Sequence, residues 1–221
     1  MPLFLFFLFL VVFFPWLFLP LLAVFLLNLL LVPFGFTLRS LWSLITVPGE
    51  LFHIALNRNL RQNHALEHAT INVIEEWYGP QRLSGHAAED GFYIHGAADP
   101  RVVEEAARVG YGRLVAGEKE LAVHKRCGTT IAAANFVSSA IFLALLLASG
   151  RFTLLNVVIA LAMANLVGPF LGNTLQAYVT TDWDVRQRRI VGVDYDSGRA
   201  VFVPWGWQAL PTKFFVRTRK T

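Results

Sequence analysis

Charge is missing from three long parts of this chain. No Asp, Glu, Lys, Arg or His occurs between Pro2 and Phe36, and two further uncharged stretches run from Cys127 to Gly150 and from Phe152 to Thr181. A helix rises about 1.5 Å per residue, so roughly 20 apolar residues cross about 30 Å of hydrocarbon, and each stretch is long enough. One ordinary soluble globule is thereby excluded. Cysteine is nearly absent too: Cys127 stands alone, which rules out an internal disulfide and suits a reducing compartment. The first stretch also lacks a basic residue ahead of its apolar core and outruns the usual 7 to 15 apolar residues or so of a secretory signal. It reads as a retained anchor, bent at Pro15 and Pro20 into one tilted span or a short re-entrant pair.

The charges that remain are unevenly placed. Arg39 to Arg126 holds ten Lys/Arg against eleven Asp/Glu, Asp182 to the end holds eight against four, and Arg151 alone separates the second and third uncharged stretches. The positive-inside tendency places the central region and the basic tail in the cytoplasm of a bacterial inner membrane crossed about three times. The expected partners are membrane lipids, attracted to the basic tail, with a membrane protein or a second copy as a further candidate. No aromatic-interleaved basic surface suggests nucleic acid.

The expected organisation has five parts. Residues 1–36 form the membrane anchor, and 37–57 an interfacial amphipathic segment interrupted at Pro48–Gly49. Residues 58–129 form a small α/β domain, 130–181 a membrane hairpin of two helices, and 182–221 a tail with a short β-hairpin. Within the α/β part, a helix starts between Asn59 and Asn63 and ends at Gly79–Pro80. Phe92-Tyr93-Ile94 is a candidate strand, Asp99 caps a second helix with Pro100 at its first position, and Glu118 to His124 reads as another strand. In the tail, Ile190–Val193 and Ala200–Val203 are expected to pair across a turn through 194–198, with Trp205 and Trp207 anchoring the unit and Arg217 to Lys220 an exposed end. Asn135, Asn156 and Asn165, costly against lipid, should face other helices or water.

Chemistry concentrates in His64-Ala65-Leu66-Glu67-His68. Helical positions four apart share a side, so His64 and His68 can offer imidazole nitrogens to one metal, with Glu67 beside them. Further ligands come from Glu75, His86, His124 and Cys127; His124 and Cys127, three residues apart near a turn, are the favoured pair. Zinc accepts both ligand types. His64, His68, His124 and Cys127 would fill a closed structural site, whereas with Cys127 outside the coordination sphere the fourth position could hold water. In that open arrangement Glu67 is the candidate catalytic base.

The segments Asn63 to Asn72, Gly91-Phe92-Tyr93-Ile94, Leu121 to His124 and Cys127-Gly128-Thr129, extending to Leu171-Gly172 and Thr180-Thr181, resemble a family of bacterial integral membrane proteins of unknown function found notably in photosynthetic lineages. A second uncharacterised membrane family is similar through an HGAEHK segment and a later HPRCGT segment. Here Ala65, Leu66, Ala69 and Lys125 replace its glycine, alanine, lysine and proline. The resemblance implies a small membrane protein whose histidine and cysteine segments work together, and it transfers no reaction. The HALEH order also resembles the inverted zinc metallopeptidase motif HxxEH. Those enzymes take a downstream glutamate as third ligand, in place of which this chain offers His124 and Cys127. Three functions are the candidates: a zinc-dependent membrane hydrolase, with peptidase as its narrower form, using Glu67 as base; a noncatalytic assembly or scaffold protein with structural zinc; and an oligomeric transport component lined by the three asparagines.

Overall fold

The computed structural model describes residues 6, 9, 12–196, 199–203 and 206–221. Ser197, Gly198 and Trp205, named in the expected tail hairpin and its anchor, lie outside them. Helix α1 (Pro15–Leu56) contains Pro20, Pro33 and Pro48. The expected interruption at Pro48–Gly49 does not occur. Proline removes one backbone donor and leaves the other hydrogen bonds of the helix in place, so the helix continues past it. The part of α1 read as interfacial runs beside the later hairpin: Phe36 packs edge-on against Phe142 at 4.9 Å, and Ser43, Thr46 and Val47 share a cavity with Asn135, Ser138 and Ser139.

The hairpin consists of α4 (Gly128–Ser149) and α5 (Leu154–Leu175), and α5 passes through Pro169 without ending. Together with α1 these are three helices long and apolar enough to cross a membrane. Small residues let α4 and α5 approach closely. A Cβ on Gly168 would lie 2.6 Å from the Ala134 Cβ, and one on Gly172 would lie 2.6 Å from the Thr130 Cα. The asparagines do not share a face. Asn156 donates to Ser149 Oγ and the Arg151 carbonyl at the loop, and Asn135 lines the cavity beside α1. Asn165 is exposed and donates to Leu161 O of its own helix.

At the Cys127 end of the hairpin sits a small α and β layer. It contains α2 (Arg58–Tyr78), α3 (Pro100–Val115) and strands β1 (Ser84–Ala88), β2 (Gly91–His95), β3 (Arg188–Tyr195) and β6 (Lys213–Lys220). The antiparallel sheet has the order β1-β2-β6-β3, and strands β4 (Arg199–Val203) and β5 (Gly206–Leu210) form a separate pair between β3 and β6. Leu66, Ala69 and Val73 of α2 meet Val103, Ala106 and Leu114 of α3 and Phe92, Ile94, Phe214 and Val216 of the sheet in one core. Asp99 caps α3 through Arg101 N, as expected.

Two strand expectations are corrected. Glu118 to His124 is not a strand: Lys119–Ala122 is a short helical turn, because Leu121 N donates to Glu118 O and Val123 N to Glu120 O, taking those amides away from any ladder. In the tail β3 pairs with β6, with Ile190 opposite Thr218 and Val193 opposite Val216, while Ala200 faces Ala209 in the other pair. Alternation decides this. Phe214, Val216 and Thr218 are buried while Lys213, Arg217 and Arg219 point outward, so the basic end of the chain is an interior strand of the sheet with a charged outer face.

Candidate metal centre

Helix α2 is buried continuously from Gln62 to Ile71, on its polar as well as its apolar side. Its polar groups are matched from several elements. Gln62 donates to Asp184 O and accepts from the buried Arg188, and Asn63 donates to Ala88 O and accepts from the Thr218 hydroxyl. These bonds hold α2 against both the sheet and the segment leaving α5, and thereby place its two histidines.

His64, His68 and Cys127 each present one donor atom, and the three atoms lie within 4.8 Å of one another, close enough to hold a metal ion. Both imidazoles are oriented by the backbone. His64 Nδ1 lies 2.9 Å from Thr180 O, and His68 Nδ1 lies 2.7 Å from Ala122 O. A carbonyl only accepts, so each Nδ1 carries the proton and each neutral ring keeps its lone pair on Nε2, the tautomer a metal ligand needs. His64 Nε2 is 3.3 Å from Cys127 Sγ. Tetrahedral zinc separates a bound thiolate from a bound imidazole nitrogen by about 3.5 Å, so the spacing fits with little movement. His68 Nε2 is buried without a hydrogen-bond partner among the described residues.

Cys127 caps α4, its sulfur accepting from Thr129 N at 3.3 Å. Burial raises its thiol pKa, while the Thr129 bond opposes that rise. Burial likewise lowers His64 and carries His68 well below the ordinary imidazole value, with His64 adding to the effect on His68. The pocket thus disfavours protonated imidazoles.

Glu67 is 4 % exposed, and its Oε2 has no partner among the described residues. Burial pushes its carboxyl up to about 8. Space for it exists because residue 85 lacks a side chain: a Cβ there would stand 2.7 Å from Glu67 Oε1. A cleft of about 220 Å³ opens on His64 and Cys127 between Glu50, Leu51 and Ile54 of α1, Gly85 to Ala87 of β1 and the first turns of α4.

The other sequence candidates lie around this trio. His124 is buried with its ring 5.9 Å from that of His68, and its Nε2 faces Glu75 Oε2 at 3.5 Å. Glu75 also pairs with Arg126. His86 stacks on Tyr93 at the outer face of the sheet, 4.7 Å between centroids. Sequence reasoning missed the Ala122 and Thr180 carbonyls, which as backbone groups carry no residue-type signal. Gln176, which the sequence marks with Asn173 only as a polar edge near the end of the third uncharged stretch, is fully buried, accepts from His124 N and donates to the Thr130 hydroxyl.

The fold and this cluster define a mostly helical protein with three candidate membrane-spanning helices and a His–His–Cys group where they meet a small antiparallel sheet. Residues 59–193 match the family described as a domain of unknown function (DUF6391), and the chain belongs to that family. It is similar to an uncharacterized protein of Picosynechococcus sp. (strain ATCC 27264 / PCC 7002 / PR-6), 34% identical over 134 residues, which cover 55% of this chain and 65% of that relative. No solved structure matches.

Proposed function

We propose that the protein is a zinc-dependent hydrolase of the membrane boundary, with His64, His68 and Cys127 as metal ligands and Glu67 as general base. One observation carries the reading: three donor atoms converge within 4.8 Å, and the carboxylate between the two histidines in sequence keeps a buried oxygen with no partner. Zinc held by three protein groups supplies a Lewis acid that makes water nucleophilic near neutral pH. Glu67 takes the proton of the attacking water and returns it to the leaving group. A carboxyl raised to about 8 is a stronger proton acceptor than an ordinary glutamate once ionised, and it stands close to the working pH. Ala122 O and Thr180 O keep the two imidazoles in register, and the cleft beside Cys127 admits substrate.

Burial of all three ligands, with Cys127 at the start of α4, favours a second reading in which zinc clamps α2 to the hairpin and does no chemistry. Metal analysis of tag-free protein, with metal-edge X-ray absorption, separates the two. One zinc with an exchangeable water, and a Glu67→Gln variant that keeps zinc but hydrolyses nothing, supports the hydrolase. Four protein ligands and no exchangeable position support the clamp, and a folded protein without bound metal rejects both.

A further inference from the structure

Strand β1 is one of the two edge strands of the sheet, and it borders the cleft. In an antiparallel ladder, residues alternate between bonding one neighbour and bonding the other. Gly96 N donates to Thr212 O and Thr218 N donates to Asp90 O, so the even-numbered positions along β2 face β6. Gly91, Tyr93 and His95 therefore face β1, opposite Ala88, His86 and Ser84. Gly85 and Ala87 are left with their N–H and C=O directed away from β2. No other hydrogen bond occupies these groups among the described residues. Both residues line the cleft that opens on His64 and Cys127, and Gly85 packs directly against Glu67.

We infer that the substrate is a polypeptide, bound in extended form as an added strand on the free edge of β1, its main chain crossing the His64–Cys127 side of the cleft beside Glu67. This rests on the hydrolase reading and supplies its substrate class. An unpaired strand edge offers donors and acceptors at the repeat of a peptide backbone, a pattern an isolated ester or lipid tail does not match. Strands pair about 4.8 Å apart, which brings the added chain between β1 and α1. Leu51 and Ile54 form the apolar wall on the α1 side, so substrates carry apolar side chains there.

The test uses full-length, zinc-loaded Glu67→Gln protein in lipid nanodiscs and a pooled random-sequence octapeptide library with blocked ends as probe. Amide exchange at Gly85 and Ala87 should slow at least about tenfold on adding the library, while exchange elsewhere in the sheet stays the same. Ala87→Pro, which removes an edge donor without removing a β1–β2 bond, should weaken library binding by at least about tenfold with zinc content unchanged. Unchanged exchange at both amides under saturating library, or equal binding by Ala87→Pro, overturns the proposal. Exchange on the parent β1 does not depend on whether the proline variant folds. Failure of the underlying hydrolase reading is recognised separately, by absent zinc or by turnover that survives Glu67→Gln.

Discussion

Helices α2 and α4 are almost equal in length, 21 and 22 residues, yet they bury different atoms. Helix α4 hides Ala133, Phe142 and two serines, and its close contact with α5 is made by small residues. Helix α2 hides Gln62, Asn63, His64, Glu67, His68 and Thr70. A buried polar atom without a partner costs about 1–3 kcal/mol, so most on α2 are paired. The exceptions on this helix are Arg61 Nε, Glu67 Oε2 and His68 Nε2, and His68 belongs to the group that includes Cys127. Helix α4 buries one unpaired atom, Ser138 Oγ, beside the cavity it shares with α1, whereas two of the three on α2 belong to the adjacent Glu67 and His68, where a metal and its base would use them.

The largest effect that can test this contrast is loss of the metal. Cys127→Ser or His68→Ala should lower zinc from about one per chain to below about 0.1 after dialysis, because structural zinc binding is worth on the order of 10 kcal/mol and needs a full ligand set. Phe142→Ala, in the core of the hairpin, should cost about 3–5 kcal/mol of stability and leave zinc content unchanged in the protein that remains folded. Elemental analysis beside thermal unfolding reads both. Equal metal loss from the two kinds of change would erase the distinction.

The pH response of metal-free protein comes next. Glu67 has a raised carboxyl, so the folded state holds a proton that the unfolded state releases, and stability falls as pH rises from about 4.5 to about 8. His64 and His68 are lowered, so the unfolded state binds their protons first and stability falls as pH drops below about 6.5. Glu67→Gln should flatten the alkaline side, where each pH unit costs up to about 1.4 kcal/mol, and leave the acidic loss in place. Denaturant midpoints at pH 5.5, 7 and 8.5 check it, and an unaltered alkaline slope would show that Glu67 is not the buried acid.

A smaller effect is expected at Gln176, which joins α5 to both His124 and Thr130. Gln176→Leu leaves His124 N–H and the Thr130 hydroxyl without their partner, at a cost of about 1–3 kcal/mol. If His124 only supports the site, zinc stoichiometry should survive this loss; if His124 is a ligand, zinc affinity should fall with stability.

Much of this was readable from the chain because local chemistry determined it. The end of α2 at Gly79, the Asp99 cap and the uncharged helices follow from turn residues, caps and apolar length, although α2 starts at Arg58 behind an Asn57 cap, ahead of the expected Asn59–Asn63; the meeting of His64 with Cys127 follows from ligand type and from the family resemblance. Pairings set by distant contacts were not readable. Ile190 has a near neighbour in Ala200 but pairs with Thr218, because β6 offers buried Phe214 and Val216 to the core. The free edge of β1 emerges only once β6 has taken the other side of β2.

The smallest expected effect concerns the outer face of α5, where Asn165 is exposed and bonded only within its own helix. Asn165→Leu removes a polar group from an exposed face otherwise carrying Val158, Leu161 and Pro169, and stability and zinc content should stay within about 0.5 kcal/mol and experimental error of the parent. Its value is in what a larger effect would mean. Of the three asparagines, Asn156 ties the hairpin loop and Asn135 borders the cavity shared with α1, so Asn165 is the one free to meet another subunit. If Asn165→Leu dissolved an oligomer in cross-linking or mass measurements, α5 would present a polar contact to a second copy. The contrast between α2 and the hairpin would then weaken, because the hairpin would also hold a polar group in place for a partner. An unchanged assembly state leaves chemistry on α2 and packing on α4 and α5.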